Sequence, residues 1–261
     1  MTIEIWSGSL RRTDGATANV SIALDRNEET TAPVVSEPAP VVKEPGPVVT
    51  ELVSGGTIPL SWDSVKNTTR SGPVRVASTL ENKSIETHAE PAAVQMGNGS
   101  TLRNVRVGKA VREGVRIGDG KYTIEGCWLE AKGAGDDHAD VIQAYAGPSG
   151  GGPLDLTIRS SLIRAYNEAA TAGLFVADGI FGKVTLDNVV FWGGPFGLAL
   201  YSDMRTIDLY AKNVFFVGPF GWRPFDLRDA GGKVVVKQWE NVCEATIKDG
   251  KLVPGKKIAR P

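Results

Sequence analysis

The densest group of chemically capable side chains in this sequence is Gly135-Asp-Asp-His-Ala-Asp-Val-Ile-Gln143. Asp136, Asp137 and Asp140 flank a single imidazole, His138. Carboxylate oxygens at that density suit a hard cation, calcium above all. One carboxylate beside an imidazole is also an acid and base pair fit to act on a glycosidic bond or a sugar C5 proton. A plainer role fits the same residues: Asp140 points inward and caps a turn while His138 hydrogen-bonds across the loop, because polar residues in turns commonly satisfy backbone groups. The insertion Gly147-Pro-Ser-Gly-Gly-Gly-Pro153 follows and overhangs the cluster, whereas His88, the other histidine, has no such company. No cofactor is implied beyond a calcium ion at Asp136, Asp137 and Asp140.

The elements that position these residues follow from two recurring columns. One runs Asn82, Asn104, Gly126, Ser160, Asn188, Asn213, Asn241; the other is apolar, Met96, Ile117, Ile142, Val176, Leu200, Leu227. Local wording repeats too, Val94-Gln-Met-Gly-Asn-Gly99 against Val115-Arg-Ile-Gly-Asp-Gly120. A repeat of 20–30 residues built from alternating strands predicts a solenoid whose turns bury their core against one another. Asparagine and glycine in the first column suit a left-handed residue where one strand bends into the next. Two positions before that column, and one and three after it, apolar residues recur, among them Leu102, Val105 and Val107. Strand alternation turns all of these inward.

The period and the turn chemistry over residues 70–250 resemble the right-handed parallel β-helix superfamily, the pectate-lyase-like fold. That resemblance implies about seven coils in a rod about 34 Å long at ~4.8 Å per strand, with the hand that parallel crossovers favour. In β-helix enzymes a sugar chain lies along the stacked strands. The outward columns expected here are Gln95, Arg116, Val141, Phe175, Ala199, Asp226 and Gly97, Gly118, Gln143, Ala177, Tyr201, Arg228. Arg116, Gln143, Tyr201, Asp226 and Arg228 are suited to a glycan by hydrogen bonding and stacking, and equally ordinary on a solvated sheet. Trp222, within Gly218-Pro-Phe-Gly-Trp-Arg-Pro-Phe225, is the expected stacking platform. Gly135-Asp136-Asp137 is similar to the paired-aspartate motif of polygalacturonases, without that family's Gly-His-Gly or Arg-x-Lys.

A further outward row, Trp128, Leu162, Val190, Phe215, is large and apolar on neighbouring turns. Such a stripe marks a contact surface, covered by the N-terminal linker, by the C-terminal tail, or by another subunit in a homo-oligomer. Residues 1–30 read as a short β anchor with strands Thr2–Trp6 and Ala18–Leu24 around Asp14-Gly15. Residues 31–56, with Pro33, Pro38, Pro40, Pro45 and Pro47 among valines and glutamates, read as an extended linker. Residues 57–261 then form the β-helix domain and its tail.

With 29 basic and 30 acidic residues the chain has no electrostatic case for nucleic acid, and no apolar run is long enough to span a membrane. Met1-Thr-Ile-Glu-Ile-Trp6 lacks the features of a secretory signal, so export is not needed or a signal is missing from the sequence. Cys127 and Cys243 fall about four turns apart on opposite strand faces and are expected to be free thiols. The layout of anchor, stiff linker and solenoid points to a structural or adhesive protein on a virion or extracellular surface: a phage fibre, spike or capsid decoration. It docks through residues 1–56 or self-associates there, and binds polysaccharide in one version of this reading. The alternative is a lyase or hydrolase of an acidic polysaccharide.

Overall fold

The computed structural model describes residues 57–261 apart from 87–90, 111, 134–138, 147–149 and 167–169, together with two short strands near the N-terminus. The chain divides into two compact units, Met1–Val48 and Val49–Pro261. In the first, Ser9–Arg11 pairs antiparallel with Thr17–Asn19, Leu10 opposite Ala18. The pair brackets the Asp14-Gly15 turn signal. The expected strand Thr2–Trp6 and the linker 31–56 lie outside the described residues.

The second unit is all-β, with parallel strands in stacked sheets compatible with a β-helix solenoid. One sheet has seven strands in chain order: Val74–Val76, Ala92–Met96, Glu113–Ile117, Ala139–Ala144, Ala170–Val176, Phe196–Ser202 and Arg223–Asp229. Every neighbouring pair in it is parallel. The second sheet begins as separate short strands on either side of Asn82, Asn104 and Gly126. From Pro153–Ala165 onward the two pieces fuse into long strands that bend at Ser160, Asn188, Asn213 and Asn241. All seven bend residues have positive φ, from 46° at Ser160 to 63° at Gly126. Asparagine tolerates that region because its amide bonds locally, here also along the stack. Asn104 Nδ2 donates to Asn82 Oδ1 at 2.6 Å, and Asn241 Nδ2 to Asn213 Oδ1 at 2.8 Å.

The expected interior is the interior found. Met96, Ile142 and Leu200 are buried at 6, 0 and 0% exposure, and the rows around the bend column join the same apolar core. Phe191 stacks on Phe216 at 5.5 Å between ring centres. The register corrects one coil by two residues. Ile142 pairs with Val115 and Leu174, so Ala144 takes the place beside Ile117 and Val176. Asp140, expected level with Val115, therefore lies level with Glu113.

The apolar row Trp128, Leu162, Val190, Phe215 is corrected as an intermolecular interface. These residues are 3, 0, 0 and 1% exposed within this chain and leave no area for a second copy. Their cover is the chain itself: Ile58, Leu60, Trp62 and Val65 from one end, Ile247 and Leu252 from the other. Gly108 makes room for the Trp62 ring, which lies 3.3 Å from where a Cβ would stand, and the Arg106 guanidinium lies over that ring at 4.6 Å. At the far end Val234–Lys248 and Lys251–Lys257 form an antiparallel hairpin, with Asp249 and Gly250 at φ 51° and 70°. Positive φ at both turn residues matches the twist of a tight hairpin. This turn, which puts Ile247 opposite Leu252, is why Ile247 departs from the repeat.

Cys127 and Cys243 are both buried free thiols in separate apolar clusters. Among the described residues no helix is long and apolar enough to cross a membrane.

Candidate glycan-binding face

The seven-stranded sheet carries its outward side chains in rows, one residue from each strand. The central row reads Arg75, Gln95, Arg116, Gln143, Phe175, Ala199, Asp226. Gln143 stands here, beside Arg116, where Val141 was expected. The Tyr145 N–H donates to the Ile117 carbonyl at 2.9 Å, which brings Tyr145 to the position beside Gly118 that was expected for Gln143. Tyr201 pairs with Arg228 on the same flank. Parallel strands about 4.8 Å apart put Arg116 and Asp226, four steps distant, about 19 Å from one another along the face.

Two clusters of similar composition stand on it, one on its third and fourth strands and one on its sixth and seventh. In the first, buried Glu113 binds the Arg116 guanidinium through both carboxylate oxygens. Arg116 Nη2 also donates to Gln143 Oε1 at 3.3 Å, and its guanidinium lies over the Tyr145 ring at 4.6 Å. In the second, buried Asp226 meets Arg228 at 2.6 Å and Arg223 at 3.6 Å and accepts the Tyr201 hydroxyl at 2.9 Å. Arg228 lies over the Tyr201 ring at 4.4 Å. Phe175 meets Tyr201 edge-on at 5.1 Å. A carboxylate and a guanidinium three residues apart do not face each other on a regular strand. Their contact, made at Glu113–Arg116 and again at Arg223–Asp226, marks a break in alternation where these strands begin. Gly173 shows how tight that start is, since a Cβ there would lie 2.4 Å from the Gly197 carbonyl oxygen.

Trp222 closes the face at the C-terminal end. Its backbone N–H donates to the Pro195 carbonyl at 3.1 Å, its ring stands edge-on to Phe196 at 5.0 Å, and it is 74% exposed. Guanidinium groups already occupy Tyr145 and Tyr201, so Trp222 offers the bare aromatic surface. Burial, then the hydrogen bond to Asp226, push the Tyr201 hydroxyl up to about 12. It therefore stays protonated and donating through the neutral range.

The expected glycan residues Arg116, Gln143, Tyr201, Trp222, Asp226 and Arg228 thus share one face. Glu113, Tyr145 and Arg223 belong with them and were missed. The available signal was the mirrored spacing Glu113-x-x-Arg116 and Arg223-x-x-Asp226. The acid and base set fares differently. Asp136, Asp137, His138 and also His88 lie outside the described residues. Asp140 is described and has no accessible surface, so its carboxylate faces no solvent-borne substrate. Among the described residues no three His, Cys, Asp or Glu side chains converge to hold a metal. A cavity of about 340 Å³ lies elsewhere, walled by Phe216, Phe220, Glu244, Val253 and Lys256, with Pro224 its one member from the seven-stranded sheet. The candidate face is thus an open surface that fits an extended polymer better than an enclosed small molecule. Comparison with family models, with curated proteins and with solved structures finds no match.

Proposed function

We propose that this chain is a non-catalytic adhesive protein, a right-handed β-helix of about seven coils that binds a glycan along the outer face of its seven-stranded sheet. The separate unit Met1–Val48 would carry it on a larger assembly, in the manner of a virion fibre, spike or decoration. One observation carries the reading: two Arg–Tyr–carboxylate clusters and the exposed Trp222 line a single open sheet face. Sugars are recognised by such surfaces, an aromatic plane against the C–H face of the ring and oriented polar groups against the hydroxyls. Binding is preferred over cleavage because Asp140, the described member of the acid and base set, is sealed from solvent.

A glycan microarray probed with the full chain and with Trp222→Ala tests this. The expected result is a bound set that the variant loses, with its melting temperature unchanged. No glycan bound, or a set bound equally by the variant, overturns the reading.

A further inference from the structure

The two clusters on the sheet face share their composition but differ in how far their arginines are exposed. Arg116 is closed: Glu113 takes its guanidinium through both oxygens, Gln143 takes another N–H, and the Arg116 side chain is only 19% exposed. Glu113 also lies 3.9 Å from Arg112, whose side chain is 38% exposed, so this carboxylate too is shared by two arginines.

On the last strand one buried carboxylate again serves two arginines, and both of these reach further into solvent. Asp226 is 4% exposed, while the side chains of Arg223 and Arg228 are 58 and 49% exposed. Asp226 Oδ2 is taken by Arg228 and the Tyr201 hydroxyl, and Oδ1 by Arg223. The charges that act on the Tyr201 hydroxyl are the same three, one negative and two positive. Asp229 Oδ1 accepts the Val234 N–H at 2.8 Å and Asp203 Oδ2 the Gly179 N–H at 3.0 Å, and neither forms an ion pair with Arg223 or Arg228. Within the cluster one positive charge is left over, on two side chains about half exposed to solvent.

We propose that Arg223 and Arg228 form an anion subsite at the C-terminal end of the sheet face, so that the ligand is a glycan bearing a carboxylate or sulfate group there. This rests on the glycan reading above and adds the ligand's charge and its direction along the sheet. A guanidinium presents a planar fork that matches the two oxygens of either group. The buried carboxylate between the arginines holds both in place and prevents them from repelling each other, and Tyr201 fixes the plane of Arg228.

The test is the same microarray, printed with uronate-bearing, sialylated, sulfated and neutral glycans, each anionic one beside its carboxyl-reduced or desulfated counterpart. The full chain is compared with Arg223→Gln, Arg228→Gln and, as a control on another face, Lys212→Gln. The bound set should be anionic, and removing the carboxyl or sulfate group should abolish the signal. Loss on carboxyl reduction identifies a uronate or sialate, and loss on desulfation a sulfated sugar. Each arginine variant should weaken binding roughly tenfold, with the control unchanged. Neutral glycans bound as well as anionic ones, or arginine variants within twofold of wild type, would overturn the anion subsite and leave the glycan reading standing. A blank array would remove both.

Discussion

At the scale of single residues, burial separates side chains that maintain the fold from those available to a ligand. Trp222 is 74% exposed and rests on Phe196, so Trp222→Ala should leave the urea midpoint unchanged and reduce glycan affinity roughly tenfold or more, read by calorimetric titration. Cys127 is the opposite case. Burial pushes its thiol up to about 12 from an ordinary value near 9. The native state therefore holds a proton that the unfolded chain releases earlier. That contribution to stability is complete below about pH 8.5 and declines up to the folded value, by about 1.4 kcal/mol per pH unit at most. Cys127→Ala should fold, since Ser161 occupies the next position in its row, and should flatten the loss of stability measured between pH 9 and 12. Trp222 was legible in the sequence, because a tryptophan in a glycine- and proline-rich loop has few neighbours to bury it. Glu113 was harder to read, because its only local signal is the three-residue spacing to Arg116, which on a regular strand would put the two on opposite faces.

At the scale of elements, the bend column shows why so much of the interior could be read. A left-handed bend residue in each coil limits the chemistry there to asparagine, glycine and serine, and alternation sets the faces on either side. The error at Ile142 has an equally physical origin. A slip of one residue would turn every side chain over and violate the burial pattern, whereas a slip of two preserves it. Seven residues separate Ala131 from Ala139, so the spacing does not fix the start of this strand, and apolar pattern alone cannot separate Ile142 from Ala144. Charges hold register where apolar residues do not. On the second sheet one outer row reads Glu81, Arg103, Glu125, Arg159, Asp187, Lys212, Glu240, each paired with the next. A neighbouring row reads Lys121, Asp155, Lys183, Asp208, with Thr123, Thr157 and Thr185 between the two. Arg159→Glu would set three like charges on consecutive strands. It should lower stability by about 1 kcal/mol at low salt, and the loss should shrink at 1 M salt where surface charges are screened. The segment that covers Trp128, Leu162, Val190 and Phe215 can be tested likewise. Val65 is 2% exposed there, so Val65→Asp buries a charge in an apolar layer. It should cost about 2–4 kcal/mol in urea unfolding and increase binding of a hydrophobic dye.

At the scale of the whole molecule, the second unit uses its apolar surface internally and blunts its last strand. Lys251–Lys257 carries Pro254 and three lysines, features that discourage another chain from adding to the edge. Residues 49–261 alone should therefore be monomeric by light scattering, with any self-association of the full chain carried by residues 1–48. Among the described residues, the surface assigned to a partner is the outer face of the seven-stranded sheet. The most direct measurement is a crystal structure of the full chain with a glycan taken from the bound set. Sugar rings should lie along that sheet between Tyr145 and Trp222, with the last ring against the indole. Sugar density on the Lys121 and Arg159 rows, or in the cavity beside Phe220, would contradict the account.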